Sequence, residues 1–372
     1  MKTISADIGL ITTILRRHRI FGDDDMVFVG GSVADGLATP WSDVDVFVIR
    51  RDAKPAEAGL HLIPMPHDEM PMDLEVWSSG EVDALLDKLH KIQADAQTDH
   101  RAFMRLTEDE RDFLHCLAGG IPVHNQAGLA RLQAKVDRGL LARLSIARAL
   151  VGITNSQTDL LGWLALGDWQ SVGTACQRLI DFSALALLGA SGSTHPGGKW
   201  IITLLRSRFE GRLLPSRLLG GAASLVDRYY ALQRRPASSE AVDGYARECV
   251  DFSNRAVIYA QTVDSGIPGD TLQRIFWLPQ SPPPADGQPR PALSCAVQMR
   301  FDSGKWCVLH VGREMYEVNA AAIGMLLLVD GRATEQQILA VLQGLSSVEM
   351  DRLEPSLRDL LMFLDNANLR AS

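Results

Sequence analysis

No apolar run in this 372-residue chain reaches the ~20 residues that a membrane-spanning helix needs; stretches such as LIDFSALALLGA stop well short. Cysteine is scarce. Cys116, Cys176, Cys249, Cys295 and Cys307 are odd in number, and no two have the close spacing of a zinc knuckle or a redox pair. That argues against a disulfide scaffold and for reduced thiols in a cytoplasmic protein. A basic excess is missing as well. With 37 Lys and Arg against 45 Asp and Glu, a formal charge of −8 and a pI near 5.6, the chain lacks the surface of a general nucleic-acid coat, although a local basic pocket stays possible. In MKTISADIGLITTILRRHRI, Asp7 precedes the apolar stretch and most basic residues follow it. That order is wrong for a signal peptide and suits an amphipathic first helix.

What is present is ample core material. A hydrophobic content of 46% over 372 residues predicts two or three globular domains. Up to about residue 125 the pattern mixes strands (MVFVG, VDVFVIR, MDLEVW) with a helix in SGEVDALLDKLHKI, capped by the serine before it. GDDD, Gly22 to Asp25, is a solvated turn before the first strand. His61, His67, Asp68 and Glu69 include possible ligands, but their spacing matches no standard metal helix and they read as a surface loop. Residues 126–278 are helical almost throughout and predict a bundle, with loops at GASGSTHPGG and QRRPASSE. PQSPPPADGQPRP, residues 279–291, is a linker, because its prolines remove amide donors and favour extended backbone. Residues 292–372 then give LSCAVQMRF and KWCVLHVGREMYEV, the second folding back at Gly312, and three helices. Thr334 and Gln337 have capping-box spacing at the start of the middle one.

The chemistry sits in FVGGSVADGLATPWSDVDVFVI, Phe28 to Ile49. Residues two apart on a strand share a face, so Asp43 and Asp45 project together while Val44 and Val46 point into the opposite layer. Two adjacent carboxylates repel each other, and water or a divalent cation relieves that cost. Oxygen-only ligands suit magnesium, which keeps waters and takes phosphate oxygens. A third carboxylate for a two-metal site is available in PMDLEVW as Asp73 or Glu75. Gly30 and Gly31 permit close backbone approach to a phosphate, and a helix opening at Ser32 would direct its amides to the same anion.

Gly30-Gly31-Ser32, then Ala34 and Gly36, then Ser42-Asp43-Val44-Asp45, resemble the signature of the polymerase-beta-type nucleotidyltransferase superfamily. The resemblance implies an α+β fold, a mixed sheet with flanking helices. It also implies two magnesium ions on Asp43, Asp45 and Asp73, and ATP or another nucleoside triphosphate on Gly30, Gly31 and Ser32. Asp73 is favoured over Glu75 by its hydrophobic-Asp-hydrophobic setting. Asp35 departs from the pattern, since many relatives carry a neutral or basic residue there; it either faces solvent or weakens triphosphate binding.

The helical middle, through TDLLGWLALGDW and HPGGKWIITLLR, is similar to the substrate-side bundle of antibiotic and small-molecule nucleotidyltransferases. That likeness implies a wall for the acceptor pocket. Lys199 and Arg206 are candidate triphosphate contacts or exposed helix charges, and Asp159 and Asp181 are candidate bases or bundle polar contacts. Trp163, Trp169 and Trp200 read as core. YEVNAAAIGMLLLVDGRATEQQILAVL and the final leucine-rich helix resemble PqqD-like domains, the winged-helix-like peptide-recognition elements of ribosomal peptide modification pathways. That implies a precursor leader peptide as partner, added as a strand to a sheet edge. Glu335, Glu349, Asp351 and Glu354 on the helices speak against DNA. The combined expectation is an enzyme that moves a nucleoside monophosphate, AMP from ATP, onto a precursor peptide. Modification of an antibiotic or small molecule, and a non-catalytic peptide-binding scaffold, are the alternatives.

Overall fold

The computed structural model describes residues 8–51, 59–63, 72–95, 104–264, 270–278, 290–345 and 350–371. The chain divides into two compact units, Met1–Leu141 with Thr194–Pro196, and Ala142–Ser193 with Gly197–Ser372. Both mix helix with sheet. No helix among the described residues is long and apolar enough to cross a membrane.

In the first unit, α1 (Ile8–Arg17) is followed by β1 (Met26–Val29), the single turn α2 (Gly31–Ala34) and β2 (Val44–Arg50). Next come β3 (Gly59–Ile63), β4 (Met72–Ser78), α3 (Ser79–Asp95), α4 (Glu108–Gly119), β5 (Ile121–His124) and α5 (Gln126–Gln133). The sheet order is β3-β4-β2-β1-β5. β2 and β4 run parallel and the other neighbours antiparallel. Strand alternation decides which layer each β2 side chain enters. Val44, Val46 and Val48 join Ile11, Ile14 and Leu15 of α1 in one core. On the opposite face Phe47 stacks on Phe28 at 5.0 Å and meets Phe113 of α4 edge-on, so this layer is filled beyond Asp45. Ser78 caps α3 reciprocally: the Ser78 amide donates to Glu81 Oε2 (2.8 Å) and the Glu81 amide to Ser78 Oγ (3.1 Å).

His61 lies on β3 rather than in a loop, with its side chain, His67, Asp68 and Glu69 outside the described residues. α2 begins at Gly31, one residue before the expected serine, and is only four residues long. Contacts carry the first unit to Leu141 instead of 125, because α5 packs against β1, α4 and β5.

The second unit contains most of α6 (Arg138–Leu166) and then α7 (Trp169–Ala190), α8 (Ile201–Phe209), α9 (Ser216–Leu219) and α10 (Leu225–Gln233). It continues with α11 (Val242–Asp264), α12 (Asp270–Trp277), β6 (Val297–Asp302), β7 (Lys305–His310) and β8 (Met315–Val318). α13 (Ala320–Leu326), α14 (Glu335–Leu345) and α15 (Met350–Asn366) complete it. The chain turns between β7 and β8 at Gly312, whose φ of +78° suits glycine. The capping box at α14 is present: the Thr334 amide donates to Gln337 Oε1 (2.8 Å) and the Gln337 amide to Thr334 Oγ1 (3.3 Å). Trp163 is not core; it is 38% exposed.

Residues 126–278 and 292–372, expected as separate domains, share one hydrophobic core in this unit. Ile258 of α11 and Leu272, Ile275 and Phe276 of α12 pack with Val297, Val308, Ile323, Leu326, Leu357 and Leu364. Residues 279–289 of the expected linker lie outside the described residues. The free edge of β6 is closed by amide side chains. Asn254 donates to the Val297 carbonyl (3.0 Å) and accepts from the Met299 amide (2.8 Å). One turn pair further along α11, Gln261 does the same for Phe301, and Gln157 of α6 donates to Cys295 and Val297 carbonyls.

Candidate active site

Asp43 immediately precedes β2, Asp45 lies within it, and the parallel register sets Asp73 of β4 directly beside Asp45. One carboxylate oxygen from each of Asp43, Asp45 and Asp73 lies within 4.8 Å of the others. The carboxyl of Asp73 is held above its ordinary range, first by burial, then by the neighbouring Asp43 charge and a hydrogen bond to it. A divalent cation would neutralise this crowding, and three hard oxygen donors fit magnesium.

The glycine turn closes over the same acids. The Gly30 amide donates to the Asp45 carbonyl at 2.9 Å and brings the turn onto β2. A Cβ at Gly30 would stand 2.6 Å from the Phe47 ring and 2.9 Å from Cys116 Cβ. Gly31 is more constrained still: its φ is +55°, and a Cβ there would lie 1.8 Å from Asp45 Oδ2. Glycine here lets a carboxylate and the backbone occupy adjoining space. Ser32 and Val33 follow, and the first amides of a helix have no intrahelical partner. At four residues α2 adds little macrodipole, so any anion here is met by individual amides and the Ser32 hydroxyl.

The match to a family model agrees with this geometry. Residues 10–104 match the family model described as Nucleotidyltransferase domain. The chain carries a nucleotidyltransferase domain. No curated protein matches it. Among solved structures, a nucleotidyltransferase-like protein from Exiguobacterium sibiricum 255-15 is similar over 84% of this chain and 99% of that one, at 11% identity and a TM-score of 0.32. That distance carries no functional argument.

Position separates the two acids of β4. Glu75 shares a strand face with Asp73 but accepts a hydrogen bond from Trp77 Nε1 at 2.7 Å, and Trp77 stacks on Phe113 at 4.0 Å. Burial raises its carboxyl; the Trp77 bond opposes this, and the charges of Asp109, Asp45 and Asp112 add to it. Asp73 is the one gathered with the aspartate pair. Cys116 sits beneath the turn as a thiol, pushed up to about 12 by burial, with a Gly31 backbone hydrogen bond opposing and Asp45, Asp35 and Glu75 reinforcing.

Asp35 is not a solvent-facing residue. It caps the C-terminal end of α2, and His115 Nε2 lies 3.0 Å and His195 Nε2 3.6 Å from its Oδ2. His115 Nδ1 is 2.7 Å from Thr194 Oγ1, and the two imidazoles meet edge-on at 5.1 Å. The His195 imidazole is lowered to about 4, mainly by burial and then by His115, with Asp35 opposing. Neither histidine was flagged by the sequence, where the odd acid at Asp35 was the sole signal.

The remaining candidates belong to the second unit. Lys199 is exposed, its ammonium 5.5 Å above the ring of Trp200. Arg206 is exposed on α8 and Asp159 on α6. Asp181 accepts hydrogen bonds from Tyr229 Oη (2.5 Å) and Gln233 Nε2 (2.7 Å), a polar tie between α7 and α10.

Proposed function

We propose that this chain transfers a nucleoside monophosphate, AMP from ATP, to a ribosomally made precursor peptide. The observation that carries the transfer is the meeting of Asp43, Asp45 and Asp73 beneath Gly31. In this reading the triphosphate lies on the Gly30–Ser32 turn. Asp43, Asp45 and Asp73 would hold two magnesium ions, which would supply charge to stabilise the leaving pyrophosphate. The acceptor oxygen bonds to the α-phosphorus as the bond to the bridging oxygen breaks, and its proton passes to Asp73.

The peptide part of the proposal rests on the second sheet. With β6 closed by Asn254, Gln261 and Gln157, an added strand has β8 as its edge, the other end of the β6-β7-β8 order. Tyr316 of β8 meets Phe363 of α15 at 5.0 Å, and Met315 on β8 and Met362 on α15 are 57% and 51% exposed. An extended leader would pair with β8 through its backbone and place side chains against these methionines. Holding the leader there raises the effective concentration of its acceptor residue.

Intact-mass analysis of the co-encoded precursor, incubated with each nucleotide and magnesium, tests the reading. A gain of one nucleoside monophosphate is expected, reduced about 10²–10³-fold by Asp43→Asn, Asp45→Asn or Asp73→Asn, with Glu75→Gln close to wild type. Met315→Lys and Met362→Lys should raise KM for the peptide and leave kcat unchanged. Transfer to a small hydroxyl acceptor but never to the peptide would remove the peptide half and keep the chemistry. Removing residues 280–372 is a poor substitute for these changes, because it strips the partners from α11 and α12.

A further inference from the structure

We propose that Asp35, His115 and His195 form a second cation site in the first unit, for a single zinc-like divalent ion distinct from the magnesium ligands. The inference does not depend on the nucleotide reading. One ligand atom from each residue lies within 4.8 Å of the other two. Ligands about 2.0–2.1 Å from zinc, at tetrahedral angles, stand roughly 3.3 Å apart. The two histidine-to-aspartate separations, 3.0 and 3.6 Å, bracket that value.

Donor chemistry separates this site from the acidic one. Two imidazoles and one carboxylate select zinc or a similar transition ion, whereas the oxygen-only set at Asp43, Asp45 and Asp73 suits magnesium. The outer contacts fit as well. A ligating histidine ordinarily donates its other ring N–H to an acceptor that fixes the ring. His115 presents Nδ1 to Thr194 Oγ1 at 2.7 Å while Nε2 faces Asp35. Without metal, Nε2–H donates to Asp35 and the threonine hydroxyl donates to Nδ1. With metal, the ring proton sits on Nδ1, the hydroxyl accepts, and the Nε2 lone pair is free to coordinate. The side chains of His115 and His195 are 11% and 10% exposed and that of Asp35 21%, so the three ligands are shielded but not sealed from solvent.

The placement gives the ion a positioning task. Asp35 ends the same turn that Gly31 begins, and His195 lies 80 residues beyond His115, in the short segment Thr194–Pro196 of this unit. An ion would tie that segment to α4 and to the end of α2.

The test is zinc content and affinity in the full-length protein, stripped with chelator and titrated with zinc against a chromophoric competitor in excess magnesium. One zinc per chain is expected in wild type and in the Asp43→Asn and Asp45→Asn variants. Because each supplies a ligand atom, affinity should fall at least ~10²-fold in His115→Ala, His195→Ala and Asp35→Asn, more than the 10–100-fold typical of an outer-shell partner. Cobalt titrated into the unaltered protein should give the intense visible bands of a four-coordinate ion, a readout that needs no variant to fold. The proposal fails if zinc does not compete with the chelator, if the histidine variants keep it, or if it is lost with Asp43 and Asp45. A plain Asp–His–Thr hydrogen-bonded relay would give the first of these results.

Discussion

The least replaceable atom of the candidate site is one that is missing, the Cβ of Gly31. Alanine at this position would combine a strained φ of +55° with a methyl 1.8 Å from Asp45 Oδ2. Something must move, and the mobile partner is the carboxylate. Gly31→Ala should therefore lower magnesium-dependent transfer by about 10²-fold or more, since misplacing a reacting group by ~1 Å has that effect. Thermal melting should change far less than activity, because the turn lies at one end of the sheet while Ile11, Val29 and Val46 hold the core below it. A variant with normal turnover would show that Asp45 does not occupy the space beside the turn. The paired aspartates and this glycine were legible in the sequence because each signal is local: an alternation of two and a doublet of glycines. His115 and His195 were not, since they reach Asp35 only when residues 80 and 160 positions away close on it.

At the scale of elements, segments with a strong local pattern were readable and those placed by tertiary pairing were not. β3 and β5 are five and four residues, with a proline in β5, and their partners are set by tertiary pairing. LLARLSIARALVGI and TDLLGWLAL read as separate runs yet form one continuous helix, α6, because polar TNSQ between them carries no breaker. Asp181 links α7 to α10 and gives this part of the fold a pH signature. Burial raises its carboxyl despite the bonds from Tyr229 and Gln233. An acid raised in the folded state stabilises most below its unfolded value, near 3.9, and loses that contribution as pH climbs through the folded value. Asp181→Asn cannot ionise, so its stability relative to wild type should improve from pH 4 to pH 7. Urea midpoints of both proteins across that range provide the check, and a difference that is flat with pH would mean Asp181 is as well solvated folded as unfolded.

For the molecule as a whole, the proline-rich segment marked a linker ahead of a separate terminal domain, while the core that α11 and α12 share with the last three helices argues for joint unfolding. Sequence composition marks where chain is extended; it says nothing of what packs across the gap. Asp330, legible only as the acid of a VDGR turn, shows how strong that packing is. It accepts from Arg217 of α9 at 3.4 Å and from Arg255 of α11 at 3.2 Å, and these three side chains are 3%, 4% and 1% exposed. Arg255 also donates to the Arg217 carbonyl (2.8 Å) and to Asp251 (3.0 Å). Asp330→Asn would leave two buried guanidiniums against a neutral amide, a change that costs about 3–5 kcal/mol when one partner of a buried pair is removed. Because the network joins helices from before the proline segment to the turn after α13, the loss should appear everywhere in the second unit. Hydrogen exchange followed through a urea titration should show α11 and residues 293–371 losing protection together, and at lower urea in the variant. Replacing the whole network, Asp330→Leu with Arg217→Met, Arg255→Met and Asp251→Asn, should recover most of the stability, since no charge of the network is then stranded. If residues 293–371 instead open alone while α11 stays protected, the network is a local contact and the terminal region folds by itself.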